Sequence, residues 1–278
     1  MAESVPRIAS RDASQVVPAL RESGAVIVEG FLDADCLQRF NQELDPVMES
    51  LDPAREFVNP GVSFFFGAKT RHLTAVAAHS QVFAHEILPD DLFAEVSEEI
   101  LGEGACSVIL NTAHVMDRGP GAERQLLHRD EQVWPHVPQP HPELQLASVI
   151  ALERFDRENG GTCVVPGSHR WPRDRQPTED EIAVAEMEAG SAVLYLGSTI
   201  HAGGANTSAE RGRRGMHVSF CAGWLRTEEN QYLSVPIEAV KAMPERSQAL
   251  LGYVAHDAIA VGGGYLGTVD LVDPVSRF

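Results

Sequence analysis

Between residues 106 and 225 the chain is a succession of short apolar or alternating runs. They read CSVILNTAHVM, LQLASVIAL, TCVVP, SAVLYLG and MHVSFCAGW, with turns of Gly, Pro, Asn and Asp between them. Runs of this length and period, bounded by turn residues, are strands. The segments before them are mostly helical. Residues 33–51 (DADCLQRFNQELDPVMESL) read as an amphipathic helix with Asp33 at its N-cap, and helices follow over 80–88 and 90–101. Residues 24–30 (GAVIVEG) read as a short strand and 236–250 as one late helix. Residues 52–76, with Pro53, Pro60, Gly61 and Gly67, read as irregular, and the Phe64, Phe65, Phe66 triplet within them chiefly as core. Helices first and strands second, without βαβ alternation, argue against a doubly wound sheet. The expectation is a mainly β fold with flanking helices, a double-stranded β-helix of the cupin-like jelly-roll kind. Residues 1–278 are expected to form one domain. Its core covers about 20–225, and a C-terminal helix with a lid or dimer segment covers about 226–278.

Charge narrows the function. Forty acidic against 22 basic side chains leave a net charge of −18, which opposes binding to nucleic acid or to an anionic membrane. No run of about 18 apolar residues is present, so no membrane span is expected. The N-terminal MAESVPRIASRD lacks a basic segment followed by an apolar one, and the four cysteines form no CxxC pair. A cytoplasmic protein with reduced thiols is expected. Against the acidic background Arg211, Arg213 and Arg214 stand out as a place where an anion could be recognised.

The strand texture gives one short motif chemical meaning. In RQLLHRDEQVWPH, His128 and Asp130 are two residues apart, so on a strand both side chains point to one face and can share a metal ion. HxD alone is a weak signal in a chain with 11 histidines, and taken by itself it is better explained by an ordinary hydrogen-bonded surface pair. A third ligand has to come from elsewhere. His201, after the strand SAVLYLG and at the start of the glycine-rich turn HAGGAN, is the best placed. Two histidines and a carboxylate are the facial triad of non-haem Fe(II) oxygenases, whose open positions take a bidentate co-substrate and O₂. The remaining histidines show no comparable spacing and read as structural. His217 alternates within a strand that could line a cavity, and His169 reads as a turn or supporting residue.

Taken together, HxD, NGGTCVVPGSH at 159–169, HAGGAN at 201–206 and RRG at 213–215 resemble the phytanoyl-CoA dioxygenase (PhyH) family, closest to its natural-product tailoring branch. The resemblance covers roughly residues 20–225. It implies an enzyme using Fe(II), 2-oxoglutarate and O₂, with His128, Asp130 and His201 as iron ligands. It also implies that Arg213 meets the far carboxylate of 2-oxoglutarate, a role that suits a planar guanidinium. Arg213 and Arg214 are strand neighbours and face opposite ways, so only one can enter the barrel. Gly215, His217 and Ser219 share the face of Arg213. Arg211 shares it too and takes over if the register slips. By the same resemblance Gln125 and Thr162 touch the co-substrate, and Arg71 reaches its metal-proximal carboxylate, with Lys69 and His72 close enough to compete for that role. Asn111 is a further residue that could line the site. Halogenating relatives lack the metal carboxylate. Asp130 therefore favours hydroxylation, desaturation or rearrangement at an unactivated C–H bond, with release of succinate and CO₂.

The substrate pocket is expected among loops at the barrel mouth, with Phe65, Trp134 and His136 as lining residues. A hydrophobic small molecule of natural-product biosynthesis is the expected substrate. Homodimers are common in the tailoring branch, and residues 255–272, with a GGG beside Tyr265, could form a lid, a packed strand or a dimer contact. Two other readings stay open. One is a cupin-like metalloenzyme that does not use 2-oxoglutarate; the other is a non-catalytic jelly-roll binding protein.

Overall fold

A computed structural model describes residues 4–256 and 263–278. The strands are β1 (Arg7–Ile8), β2 (Ala25–Val28), β3 (Thr70–Leu73), β4 (Val108–Arg118), β5 (Gln145–Ala151), β6 (Thr162–Val164), β7 (Ala183–Ala185), β8 (Ala192–Leu196), β9 (His201–Ala202) and β10 (Arg213–Ala222). The larger sheet runs β1-β2-β8-β5-β10-β4-β3 and the smaller one β7-β6-β9. Every pairing is antiparallel except β1 with β2. The two sheets make the jelly roll that the strand pattern implied.

Helices α1 (Ala13–Ser23), α2 (Ala34–Ser50) and α5 (Asp91–Leu101) cover the outer face of the large sheet; α3 (Pro60–Phe66) and α4 (Val76–His79) are short. Their starts follow from capping chemistry. Asp33 accepts from the Cys36 N–H at 2.8 Å, and Asp90 caps α5 in the same way. Strand alternation divides the apolar residues in two. Val26, Val28, Leu146, Ile150, Met216 and Val218 pack outward against Phe40, Leu44 and Phe93. Ile27, Val149, Val193 and Tyr195 turn inward towards Phe155, Val164 and Met187. All seven residues of β5 are buried, because that strand is covered on both faces.

Three local expectations need correction. The Phe triplet is not in an irregular stretch but in α3, with Asn59 capping Gly61 N–H, and no residue of α3 is buried; Phe64 is 75% exposed. The late helix is broken into α6 (Ile237–Lys241) and α7 (Glu245–Gln248), because Pro244 has no N–H to continue it. His128 and Asp130 do not share a regular strand. His128 forms an isolated bridge with His201, and Asp130 opens a 3₁₀ turn, Asp130–Val133. No helix among the described residues is long and apolar enough to cross a membrane. Of the segment 255–272, residues 257–262 lie outside the described residues, and Tyr265 is exposed.

Candidate metal centre and co-substrate site

The bridge between His128 and His201 builds the site. Each backbone N–H donates to the other's carbonyl at 3.0 Å, so an edge residue of one loop is locked against β9. Arg129 between His128 and Asp130 is extended, which keeps both neighbours on one side. As a result ligand atoms of His128, Asp130 and His201 all lie within 4.8 Å of one another. Asp130 Oδ1 is 3.4 Å from His128 Nε2 and 3.4 Å from His201 Nε2.

The ring orientations suit a cation. His128 Nδ1 lies 2.8 Å from the Leu126 carbonyl and His201 Nδ1 lies 3.2 Å from the Thr199 carbonyl. A carbonyl only accepts, so each Nδ1 carries the proton and each Nε2 presents a lone pair. Two lone pairs aimed at a carboxylate need a positive charge between them, and this donor set fits Fe(II). Burial opposes charge on His128, but the bond and charge of Asp130 raise its pKa nonetheless. Burial would raise Asp130, yet the two histidines hold it well below the usual carboxylate range.

These residues open into a cavity of about 490 Å³ that also holds Gln125, Thr162, Arg213 and His217. Arg213 is 1% exposed. Its Nη2 donates to Thr162 Oγ1 at 2.6 Å, its Cζ stands 4.0 Å from the Phe155 ring centroid, and its Nε has no partner. Burial, aided by the nearby Arg118, pushes its pKa down to about 9. A buried cation in this condition asks for an anion. Gln125 is held by its Oε1, which accepts from Gly203 N–H at 2.7 Å. A Cβ on Gly203 would meet that oxygen at 2.6 Å, and one on Gly204 would meet the Gly161 carbonyl at 2.3 Å. The HAGG and NGG turns touch backbone to backbone, which is why both are glycine-rich.

Other expected residues lie elsewhere. Arg71 does not reach the cavity. In the β3–β4 register Arg71 faces Asp117 and His72 faces Met116; Met116 lines the cavity, so His72 turns inward and Arg71 outward. Arg71 donates to the Leu51 carbonyl at 3.1 Å and pairs with Asp117 at 3.7 Å. Arg214 shares that outer row, with Asp45 and Asp117 as partners. Arg211 is tied to Asp156 and Glu158 at the surface. Phe65 does line the cavity, edge-on to His128 with centroids 4.9 Å apart, and Phe66 joins it. Trp134 and His136 do not. The 3₁₀ turn repeats every three residues, so Val133, rather than Trp134 or His136, returns to the side of Asp130. Trp134 instead donates to the Arg226 carbonyl at 2.9 Å and packs beside Leu144 and Cys221, and His136 is exposed.

Three further polar residues of the site were not singled out by the sequence. Tyr195 lines the cavity, with its hydroxyl 3.2 Å from His217 Nδ1; burial and the charge of Asp130 raise its pKa well above the usual value. Arg118, 1% exposed, stands opposite Arg213 in the β4–β10 register, and burial pushes its pKa to about 10. Its Nη2 donates to the Glu123 and Gly204 carbonyls, while Nε and Nη1 are without partners. Alternation from Thr112 through His114 and Met116 to Arg118 was a signal that could have found it. Glu228, after β10, is the third.

The sequence profile of phytanoyl-CoA dioxygenase (PhyH) matches residues 20–215. Dioxygenase aneA of Aspergillus aculeatus is 37% identical over 252 residues, covering 88% of this chain and 84% of its own. Multifunctional dioxygenase ausE of Penicillium brasilianum is 34% identical over 259 residues, with coverages of 88% and 84%. Among solved structures, the non-heme alpha-ketoglutarate-dependent carbocyclase SnoK from nogalamycin biosynthesis superposes with a TM-score of 0.60 at 22% identity, covering 82% of this chain and 92% of that one. HygX from Streptomyces hygroscopicus, with nickel, 2-oxoglutarate and hygromycin B bound, superposes with a TM-score of 0.59 at 15% identity, covering 77% and 89%. The chain belongs to the phytanoyl-CoA dioxygenase (PhyH) family and is an Fe(II)- and 2-oxoglutarate-dependent dioxygenase.

Proposed function

We propose that this dioxygenase oxidises an unactivated C–H bond of a hydrophobic small molecule in natural-product biosynthesis, at a metal held by His128, Asp130 and His201. The observation that carries the reading is one cavity holding both the His-Asp-His cluster and a buried arginine without a carboxylate partner among the described residues. Fe(II) with 2-oxoglutarate and O₂ supplies the oxidising power there, the keto acid leaving as succinate and CO₂.

The protein's part is binding and orientation. The carbonyls of Leu126 and Thr199 hold both imidazoles in the tautomer that leaves Nε2 free for the metal. Arg213, steadied by the Thr162 hydroxyl, receives the far carboxylate of 2-oxoglutarate, and Gln125 lies beside them. Phe65, Phe66, Val133, Val149 and Met116 give the cavity apolar walls, which suit a hydrophobic skeleton and exclude water from the reacting groups. SnoK, whose fold this chain shares, comes from nogalamycin biosynthesis, which supports a place in natural-product biosynthesis.

The test is an anaerobic titration of metal-free protein with Fe(II) and then 2-oxoglutarate, followed by visible absorption. A weak metal-to-ligand charge-transfer band that disappears in His128→Ala and Asp130→Ala is the expected outcome. A folded, iron-loaded protein without the band would overturn the reading of co-substrate and ligands together.

A further inference from the structure

Glu228 lines the cavity, and nothing in the handling of metal or co-substrate uses it. It lies in the loop after β10, and one residue of β4 fixes its position twice. Asn111 Nδ2 donates to Glu228 Oε1 at 2.7 Å, and Asn111 Oδ1 accepts from the Glu228 backbone N–H at 2.8 Å. Asn111 itself is fully buried and donates to Ser219 Oγ at 3.3 Å. Among the described residues no Lys or Arg pairs with this carboxylate, and Oε2 accepts no hydrogen bond.

An acid with a purely structural task caps a helix or neutralises an arginine, as Glu158 does for Arg211. Glu228 does neither. Its bound oxygen is held from behind by a buried amide, and its other oxygen, on a side chain exposed at the cavity, is left free beside the apolar patch of Phe65, Phe66, Met116 and Val149 that shares the cavity with the polar metal and co-substrate residues. A carboxylate in such surroundings gains most from a partner that brings its own proton donor. Partial desolvation at the cavity raises the carboxyl's pKa, with the charge of Asp130 adding to it and the Asn111 bond and His128 opposing it, so a donor or positive charge delivered by a ligand would relieve the carboxylate.

We propose that Glu228 is a substrate-positioning residue that accepts a hydrogen bond from an amine or hydroxyl group on an otherwise apolar substrate. The inference rests on the oxygenase reading above and deepens it. The substrate class becomes an apolar skeleton with one basic nitrogen or hydroxyl, placed so that the carbon to be oxidised is carried towards the metal.

Three probes with one body separate the possibilities: 2-phenylethylamine, 2-phenylethanol and ethylbenzene. Each is titrated by calorimetry, under argon, into the full chain loaded with Fe(II) and 2-oxoglutarate. The wild type should bind at least one donor-bearing probe roughly ten- to a hundredfold more tightly than ethylbenzene, the span of one charge-assisted hydrogen bond. Preference for the amine alone identifies a cationic ligand group, and equal preference for the alcohol identifies a neutral donor. Glu228→Gln keeps the size and an oxygen for Asn111, and should bring the preference to within about threefold of unity; Glu228→Met, which keeps the volume without polarity, should do the same. Both variants should retain the wild-type melting temperature and the Fe(II)–2-oxoglutarate absorption band. A wild type that favours neither donor over ethylbenzene, or binds neither, overturns the assignment, as does a preference that survives in a folded variant. Loss of the absorption band in the wild type itself sinks the underlying oxygenase reading instead, so the two failures are distinguishable.

Discussion

Replacing Arg213 by methionine should weaken 2-oxoglutarate binding by at least roughly a hundredfold and, at the same time, make the ligand-free protein more stable. The guanidinium is 1% exposed, and its Nε has no partner. Its fall from an ordinary 12.5 to about 9 reflects burial first and the neighbouring Arg118 second. At 1.36 kcal/mol per unit, that fall is a burden on folding on the order of 5 kcal/mol. Methionine keeps the apolar stem against Phe155 and removes the charge. The variant loses the bond to Thr162, worth about 1 kcal/mol. Even a buried ion pair exchanged for apolar side chains is often neutral or stabilising by about 1–4 kcal/mol, and a buried charge without a counter-ion has more to gain. For a chain of this size that corresponds to a melting temperature higher by at least about 2 °C. Binding moves the other way. A guanidinium gripping a carboxylate makes two charge-assisted hydrogen bonds of roughly 1.5–3 kcal/mol each, so the variant's affinity should fall by roughly 10²- to 10⁴-fold. Scanning calorimetry with and without 2-oxoglutarate reads both effects. At a hundred times Kd the co-substrate should stabilise the wild type by about 2.7 kcal/mol and leave the variant unmoved. A variant whose affinity for 2-oxoglutarate stays within about tenfold of the wild type would refute the assignment of Arg213, and one that melts below the wild type would refute the claim that its charge is uncompensated.

Other residues give sharper contrasts. Asp130→Ala should weaken Fe(II) retention by more than the roughly 10- to 100-fold that loss of a ligand's outer partner costs, read by metal analysis after dialysis; full occupancy would remove Asp130 from the ligand set. Arg71→Ala should leave 2-oxoglutarate affinity within about twofold, because Arg71 pairs outside with Asp117; a tenfold loss would show that it swings inward. His72 is buried with both ring nitrogens unpartnered, and burial, then the charges of His217 and Arg55, push its pKa to about 4. Since the folded value lies below the unfolded 6.5, the unfolded state binds more protons and stability falls as pH drops from about 6.5 towards 4, by up to about 3 kcal/mol. His72→Leu should flatten that slope in urea melts at a series of pH values, and parallel slopes in the two proteins would rule out His72 as the group responsible.

Much of the architecture was legible because it rests on local rules. Asp33 and Asp90 cap helices through short-range hydrogen bonds, and the alternation in β4, β5 and β10 assigns each residue to a face before any partner strand is known. That alternation also separated Arg213 from Arg214 correctly, since their opposite directions follow from the strand alone. Arg71 could not be read in this way. Its direction depends on which residue of β4 stands opposite, and the choice between Arg71 and His72 is made by a pairing partner about 45 residues downstream.

The sequence by itself determined the jelly roll, the family and the side chains from which a metal site could be drawn, because period, turn residues and motif spacing are properties of neighbouring positions. Only the tertiary structure decided what those side chains meet. The backbone bridge joins His128 to His201 across 73 residues of chain, the β4–β10 register sets Arg118 opposite Arg213, and Asn111 turns Glu228 into the cavity from a strand 117 residues earlier. These are long-range encounters fixed by sheet register and burial, and no local period encodes them.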